Sequence, residues 1–71
     1  MERFLRYSLQ KNRKIRLVLM LDGGIVQKTA AVQALEGDLV TLLLTGKKTP
    51  VPLPVTDILS CDYARADHGE E

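Results

Sequence analysis

Seventy-one residues, of which 45% are apolar, with a net charge of +1, fit one folded domain and exclude a multidomain or intrinsically disordered chain. One cysteine rules out an internal disulfide framework and a multi-cysteine zinc site. Phe4, Tyr7 and Tyr63 are the only aromatics, so the core must be built from Leu, Val, Ile and Ala.

Residues 2–10 read as a short amphipathic helix, with Phe4, Leu5, Ser8 and Leu9 on one apolar stripe and Arg3, Arg6 and Gln10 off it. A helix this short is marginal alone in water, so it must dock on the rest of the chain. Asn12, within Lys11-Asn12-Arg13-Lys14, is a suitable helix stop. Ile15 to Leu21 is the clearest strand: Ile15, Leu17, Leu19 and Leu21 share one face, and Arg16, Val18 and Met20 the other. That second face is half apolar, and the N-terminal helix is expected to cover it.

Asp22-Gly23-Gly24 marks a tight turn. The return strand is expected over 25–34, with Val26, Lys28, Ala30, Val32 and Ala34 on one face and residues 35–38 as the next turn. Leu39 to Thr45 is apolar on both faces and predicts an interior strand, after which Gly46-Lys47-Lys48 turns the chain again. A last strand runs from Ile58 to Tyr63, and 64–71 is small, polar and acidic, a frayed tail. Short strands separated by regular turn signals predict a mainly β fold, a short N-terminal helix followed by a five-stranded antiparallel small barrel over 1–63.

Between the third and last strands lies Thr49-Pro50-Val51-Pro52-Leu53-Pro54-Val55. In an extended segment, the N–H groups of alternate residues point to the same side, and proline has none. Pro50, Pro52 and Pro54 therefore strip the donors from one flank, while Val51, Leu53 and Val55 keep theirs on the other. The pattern reads either as an edge strand blocked against further pairing or as a polyproline loop.

Charge is unevenly distributed. Residues 1–28 carry seven basic and two acidic groups, and residues 29–71 three basic and seven acidic. Arg3, Arg6, Lys11, Arg13, Lys14 and Arg16 form the dense part of the basic half. Such a cluster neutralises phosphates and gives salt-sensitive binding to RNA or DNA. It serves equally as a solubilising surface that pairs with the acidic half or tail. Of the aromatics that stack on bases, only Tyr7 is near in sequence.

No catalytic, cofactor or metal constellation is visible, so the chain is not expected to be an enzyme. His68 lies in the tail, Cys61 has no histidine nearby in sequence, and Asp57 and Asp62 read as a turn cap and a strand end. Gly23-Gly24 lacks the surrounding pattern of a phosphate loop. No signal peptide is apparent, and the apolar runs fall far short of the ~20 residues that span a bilayer. A soluble, cytoplasmic protein without a membrane partner is expected.

The helix containing Phe4-Leu5 and Leu9, the hairpin Leu19-Met20-Leu21-Asp22-Gly23, the strand Leu39 to Leu44 and the ending Ile58-Leu59-Ser60 resemble the Sm-like small barrels, above all the Hfq type, over residues 4–63. Other SH3-like barrels, including the barrel-like part of WYL domains, share much of this pattern. The resemblance implies a bacterial RNA-binding barrel that assembles into rings by pairing its fourth strand with the fifth of the next subunit. Two departures stand out. The Lys-His pair of the Hfq uridine pore is replaced by Leu53-Pro54-Val55-Thr56, and the proline ladder falls on the strand that would pair, so the ring is disfavoured. Asp57 to Arg65 also resembles the ending of tiny uncharacterised bacterial proteins encoded beside mobile elements, a resemblance that brings no known activity. The alternative function is a protein-interaction accessory module that uses the helix or an exposed apolar face.

Overall fold

A computed structural model describes residues 2–64, and the acidic segment 65–71 with His68 lies outside them. Helix α1 (Glu2–Lys11) carries Glu2 in its first turn and Lys11 in its last, each opposing the helix dipole favourably. Asn12 ends it in the left-handed region (φ 55). The Arg13 N–H then donates to the Ser8 carbonyl at 3.2 Å, the six-to-one bond that closes a Schellman turn.

Five strands follow: β1 (Lys14–Leu21), β2 (Gly24–Glu36), β3 (Leu39–Leu44), β4 (Val51–Pro54) and β5 (Ile58–Tyr63). All pairings are antiparallel, in the order β4-β3-β2-β1-β5. The β1–β2 hairpin turns on Asp22 and Gly23, both at positive φ (53° and 80°), the conformation that a two-residue hairpin matched to strand twist requires.

A single 3₁₀ turn, Val55–Asp57, carries the chain from β4 to β5, the two ends of the sheet. At ~2 Å per residue the turn spans about 6 Å. Four strand spacings in a flat sheet would separate those ends by about 19 Å. The sheet must therefore curl until its ends approach, which gives a small, barrel-like globule. Its interior holds Ile15, Leu17 and Leu19 of β1, Ala30 and Val32 of β2, Val40, Leu42 and Leu44 of β3, Leu53 of β4 and Ile58 of β5, with Leu5 of α1.

Two expectations about faces are corrected. The helix does not cover Arg16, Val18 and Met20: Leu5 joins the interior cluster, so α1 closes the barrel interior and the outer face of β1 stays half-exposed. Its buried stripe is also turned toward Tyr7. Phe4 and Tyr7 pack on the core while Leu9 is 38% exposed.

The second correction concerns β2, which continues to Glu36 through a bulge between Val32 and Ala34. One extra residue inverts the alternation. Leu35, expected in a turn, instead faces Val40 and packs on the core, and Ala34 leaves the Val32 face.

The edge reading of the proline segment holds. β4 is a terminal strand paired only with β3, through Val40↔Leu53 and Leu42↔Val51. Just past its end, the Val55 N–H donates to the Asp38 carbonyl at 2.7 Å, on the same flank as Val51 and Leu53. Leu53 is buried, and Pro52 and Pro54 are exposed.

Candidate nucleic-acid interface

The six basic residues are not equivalent in the fold. Arg6 is bound along the helix to Glu2, with its Nη2 at 2.8 Å from the carboxylate. Arg16 reaches across β5: its Nε donates to the Tyr63 carbonyl at 3.0 Å, and its Nη2 lies 3.6 Å from Asp62. These two cations are already engaged by the chain itself. The Arg3 guanidinium sits 5.1 Å from the Phe4 ring centroid. Lys11, Arg13 and Lys14 are exposed and occupy the bend between α1 and β1.

That bend is held in place by Ser8, the only buried polar residue among those described. Its hydroxyl donates to the Arg13 carbonyl and accepts the Val32 N–H at 2.8 Å. The β1–β2 register pairs Lys14 with Ala31, so Arg13 and Val32 stand where the next rung of the ladder would form. The Ser8 hydroxyl is inserted into that rung, bonded to both of its backbone groups. One side chain thus pins the helix, the start of β1 and the bulge of β2 together, and it fixes the backbone on which Lys11, Arg13 and Lys14 are carried.

The aromatics converge on the same end. The Tyr63 ring meets Phe4 edge-to-face at 4.9 Å and Tyr7 at 5.2 Å, both in the preferred geometry for aromatic pairs. Tyr63 lies opposite Ile15, one residue from Lys14. Phe4, Tyr7 and Lys11 follow one another along a single helix stripe. The sequence revealed only Tyr7 near the basic cluster, because the β1–β5 pairing that delivers Tyr63 is long-range. All three rings are half-buried.

Elsewhere, burial pushes the Cys61 thiol up to about 11 from its ordinary 9.0, away from the thiolate that nucleophilic chemistry needs. Among the described residues, no group of three or more His, Cys, Asp or Glu side chains is placed to hold a metal ion. No helix among them is long and apolar enough to cross a membrane. No family model, curated protein or solved structure matches this chain.

Proposed function

We propose that the chain is a small Sm-like or SH3-like bacterial barrel of the cytoplasm that contacts RNA or DNA through the end where α1 meets β1 and β5. What supports the barrel part is the order of elements, one helix and then five antiparallel strands curled about one core. The contact itself rests on one juxtaposition: Lys11 shares a helix stripe with Phe4 and Tyr7, whose rings pack with Tyr63, and exposed Arg13 and Lys14 follow in the bend that leads into β1. Cations beside ring edges suit a single strand, whose phosphates meet the charges while an unpaired base stacks. Arg3, beside the Phe4 ring, adds to this face.

Fluorescence anisotropy with a labelled single-stranded oligonucleotide tests the reading. Three phosphate contacts give a log K against log salt slope of roughly −2, at ~0.7 per phosphate. Replacing Lys11, Arg13 and Lys14 together by Gln should abolish the binding, while Arg6→Gln should leave most of it. An absence of binding at tens of micromolar protein in low salt would refute the reading and leave the accessory-module alternative. We further propose that no Hfq-type ring forms. The outward flank of β4 offers carbonyls at Pro52 and Pro54 but no N–H, so an incoming β5 strand would lack half of its backbone bonds.

A further inference from the structure

A strand at the edge of a sheet carries unpaired N–H and C=O groups that attract another strand, and proteins usually blunt such edges. Two edges here are blunted. β4 offers no donors at Pro52 and Pro54. On β5 the bulge at Leu59 interrupts the edge. Further along it, the Tyr63 N–H is taken by the Asp62 Oδ1 at 2.7 Å and its carbonyl by the Arg16 Nε at 3.0 Å. The first half of β2 is a third edge. β3 pairs with β2 only as far as Ala30↔Leu44, after which the Thr45 N–H donates to the Thr29 carbonyl at 2.9 Å. Thr29 therefore presents its backbone groups away from β1. The β1–β2 register is unbroken from Lys14↔Ala31 to Leu21↔Gly24, so Gln27 and Ile25, at alternate positions, present theirs the same way. Beyond Thr45 the chain turns off through Gly46 (φ 87). The N–H and C=O groups of Ile25 and Gln27 are left without a partner among the described residues. No proline, bulge or side-chain bond closes this edge.

We propose that the edge at Ile25 and Gln27 takes an extended acidic segment of another protein, added antiparallel to β2 in the line that β3 vacates. Only an extended backbone offers donors and acceptors at the spacing of these two residues, and pairing with it makes four N–H···O bonds. Ile25 is 66% exposed and stands opposite Met20, so it seats a β-branched residue of the added strand. Lys28, one rung before β3 leaves, and Lys47 and Lys48 of the following turn are exposed and make no ion pair among the described residues. They select acidic residues at that end. A second copy of the chain is a poorer occupant: pairing β2 with β2 through the same four groups would run each Asp22-Gly23 turn into the end of β3. Four backbone bonds make a weak site, with a dissociation constant on the order of 1 mM. The edge lies at the opposite end of β1 from Lys14, about 23 Å away, so this site does not depend on the nucleic-acid reading.

The test uses the full chain and a capped Glu-Glu-Thr-Val-Val-Thr peptide, whose third and fifth residues come opposite Gln27 and Ile25. In amide NMR the peptide should shift the Ile25 and Gln27 signals and slow their hydrogen exchange, with Lys11 to Lys14 unmoved. The same peptide N-methylated at its third and fifth residues should leave them unchanged. Replacing Lys28, Lys47 and Lys48 together by Gln should weaken binding roughly five- to tenfold at low salt, as three exposed ion pairs imply. Gln27→Pro removes a donor that the fold does not use, and should abolish binding without lowering the urea midpoint; the methylated peptide carries the same test in the unaltered protein. Unmoved Ile25 and Gln27 signals at several times ~1 mM peptide, or equal binding of the methylated peptide, would overturn the strand addition. Equal binding by the lysine variant would overturn the acidic preference. Exchange protection of the two amides that rises with protein concentration alone would overturn the assignment in favour of a second copy.

Discussion

Substituting Ser8→Ala tests the joint on which this geometry depends. The change removes one oxygen from a fully buried position and leaves two backbone groups without their partner, the Val32 N–H and the Arg13 carbonyl. Stranding a buried amide costs about 1–3 kcal/mol, and the lost bond to the carbonyl adds ~1 more where water does not reach it. The expected loss is about 2–4 kcal/mol, against ~4–10 kcal/mol for a whole domain of this length. In urea unfolding followed by far-ultraviolet circular dichroism, with a slope of ~1 kcal/mol/M for a small protein, the midpoint should fall by about 2 M or more. Hydrogen exchange supplies the specific readout: the Val32 amide should lose protection beyond the global change, whereas Leu17 and Leu19, deep in β1, should lose only the global share. A destabilisation below ~0.5 kcal/mol with Val32 still protected would refute the bridging role.

Restoring donors to the β4 flank by Pro52→Thr and Pro54→Thr should increase self-association, seen as concentration-dependent growth of the mass in light scattering; an unchanged mass would show that the prolines do not guard this edge. Cys61 should react slowly with iodoacetamide at pH 8, since a pKa near 11 rather than 9.0 lowers the thiolate fraction about a hundredfold. Because its folded-state value is raised, the Cys61 contribution to stability is complete below pH 9 and is lost as pH rises toward 11, so Cys61→Ala should flatten the alkaline limb of a stability–pH curve. Asp62→Asn should cost less than ~1 kcal/mol in urea unfolding, because the Arg16 and Asp62 side chains are 41% and 68% exposed and such pairs are well solvated; the amide oxygen can still accept from the Tyr63 N–H, so a larger loss would refute the weak-pair reading.

Where the sequence was legible, a short-range rule governed the outcome. Strict alternation over Ile15, Leu17 and Leu19 identified the inner face of β1, and the missing N–H groups at Pro52 and Pro54 identified an edge. The rules failed where one residue changes the phase. The bulge after Val32 carries no glycine or proline to mark it, so the parity inversion that buries Leu35 and releases Ala34 was invisible. On the helix, Tyr7 displaced Leu9 from the buried stripe because Tyr63 offers an aromatic partner there, and that partner is known only once β5 is paired with β1. The same pairing gives one of the basic residues a partner that the sequence did not show. Arg16 looked like a member of a basic cluster until its register with Asp62 placed an anion beside it.

Ser8 shows why the candidate site cannot be separated from the fold. In sequence it is a small polar residue on an apolar stripe, tolerable there and uninformative. In the folded chain it occupies a missing ladder rung, because β1 starts at Lys14 and leaves the Val32 N–H without a strand partner. Together with the left-handed Asn12 and the Arg13-to-Ser8 backbone bond, it fixes the path of the chain from the last turn of α1 into β1. Lys11, Arg13 and Lys14 project from this stiff bend, so a polyanion that meets them has mainly side chains to order, at about 0.5–1.5 kcal/mol each, and no loop to fold. A bend loosened by Ser8→Ala should therefore bind more weakly than its unchanged charge would suggest.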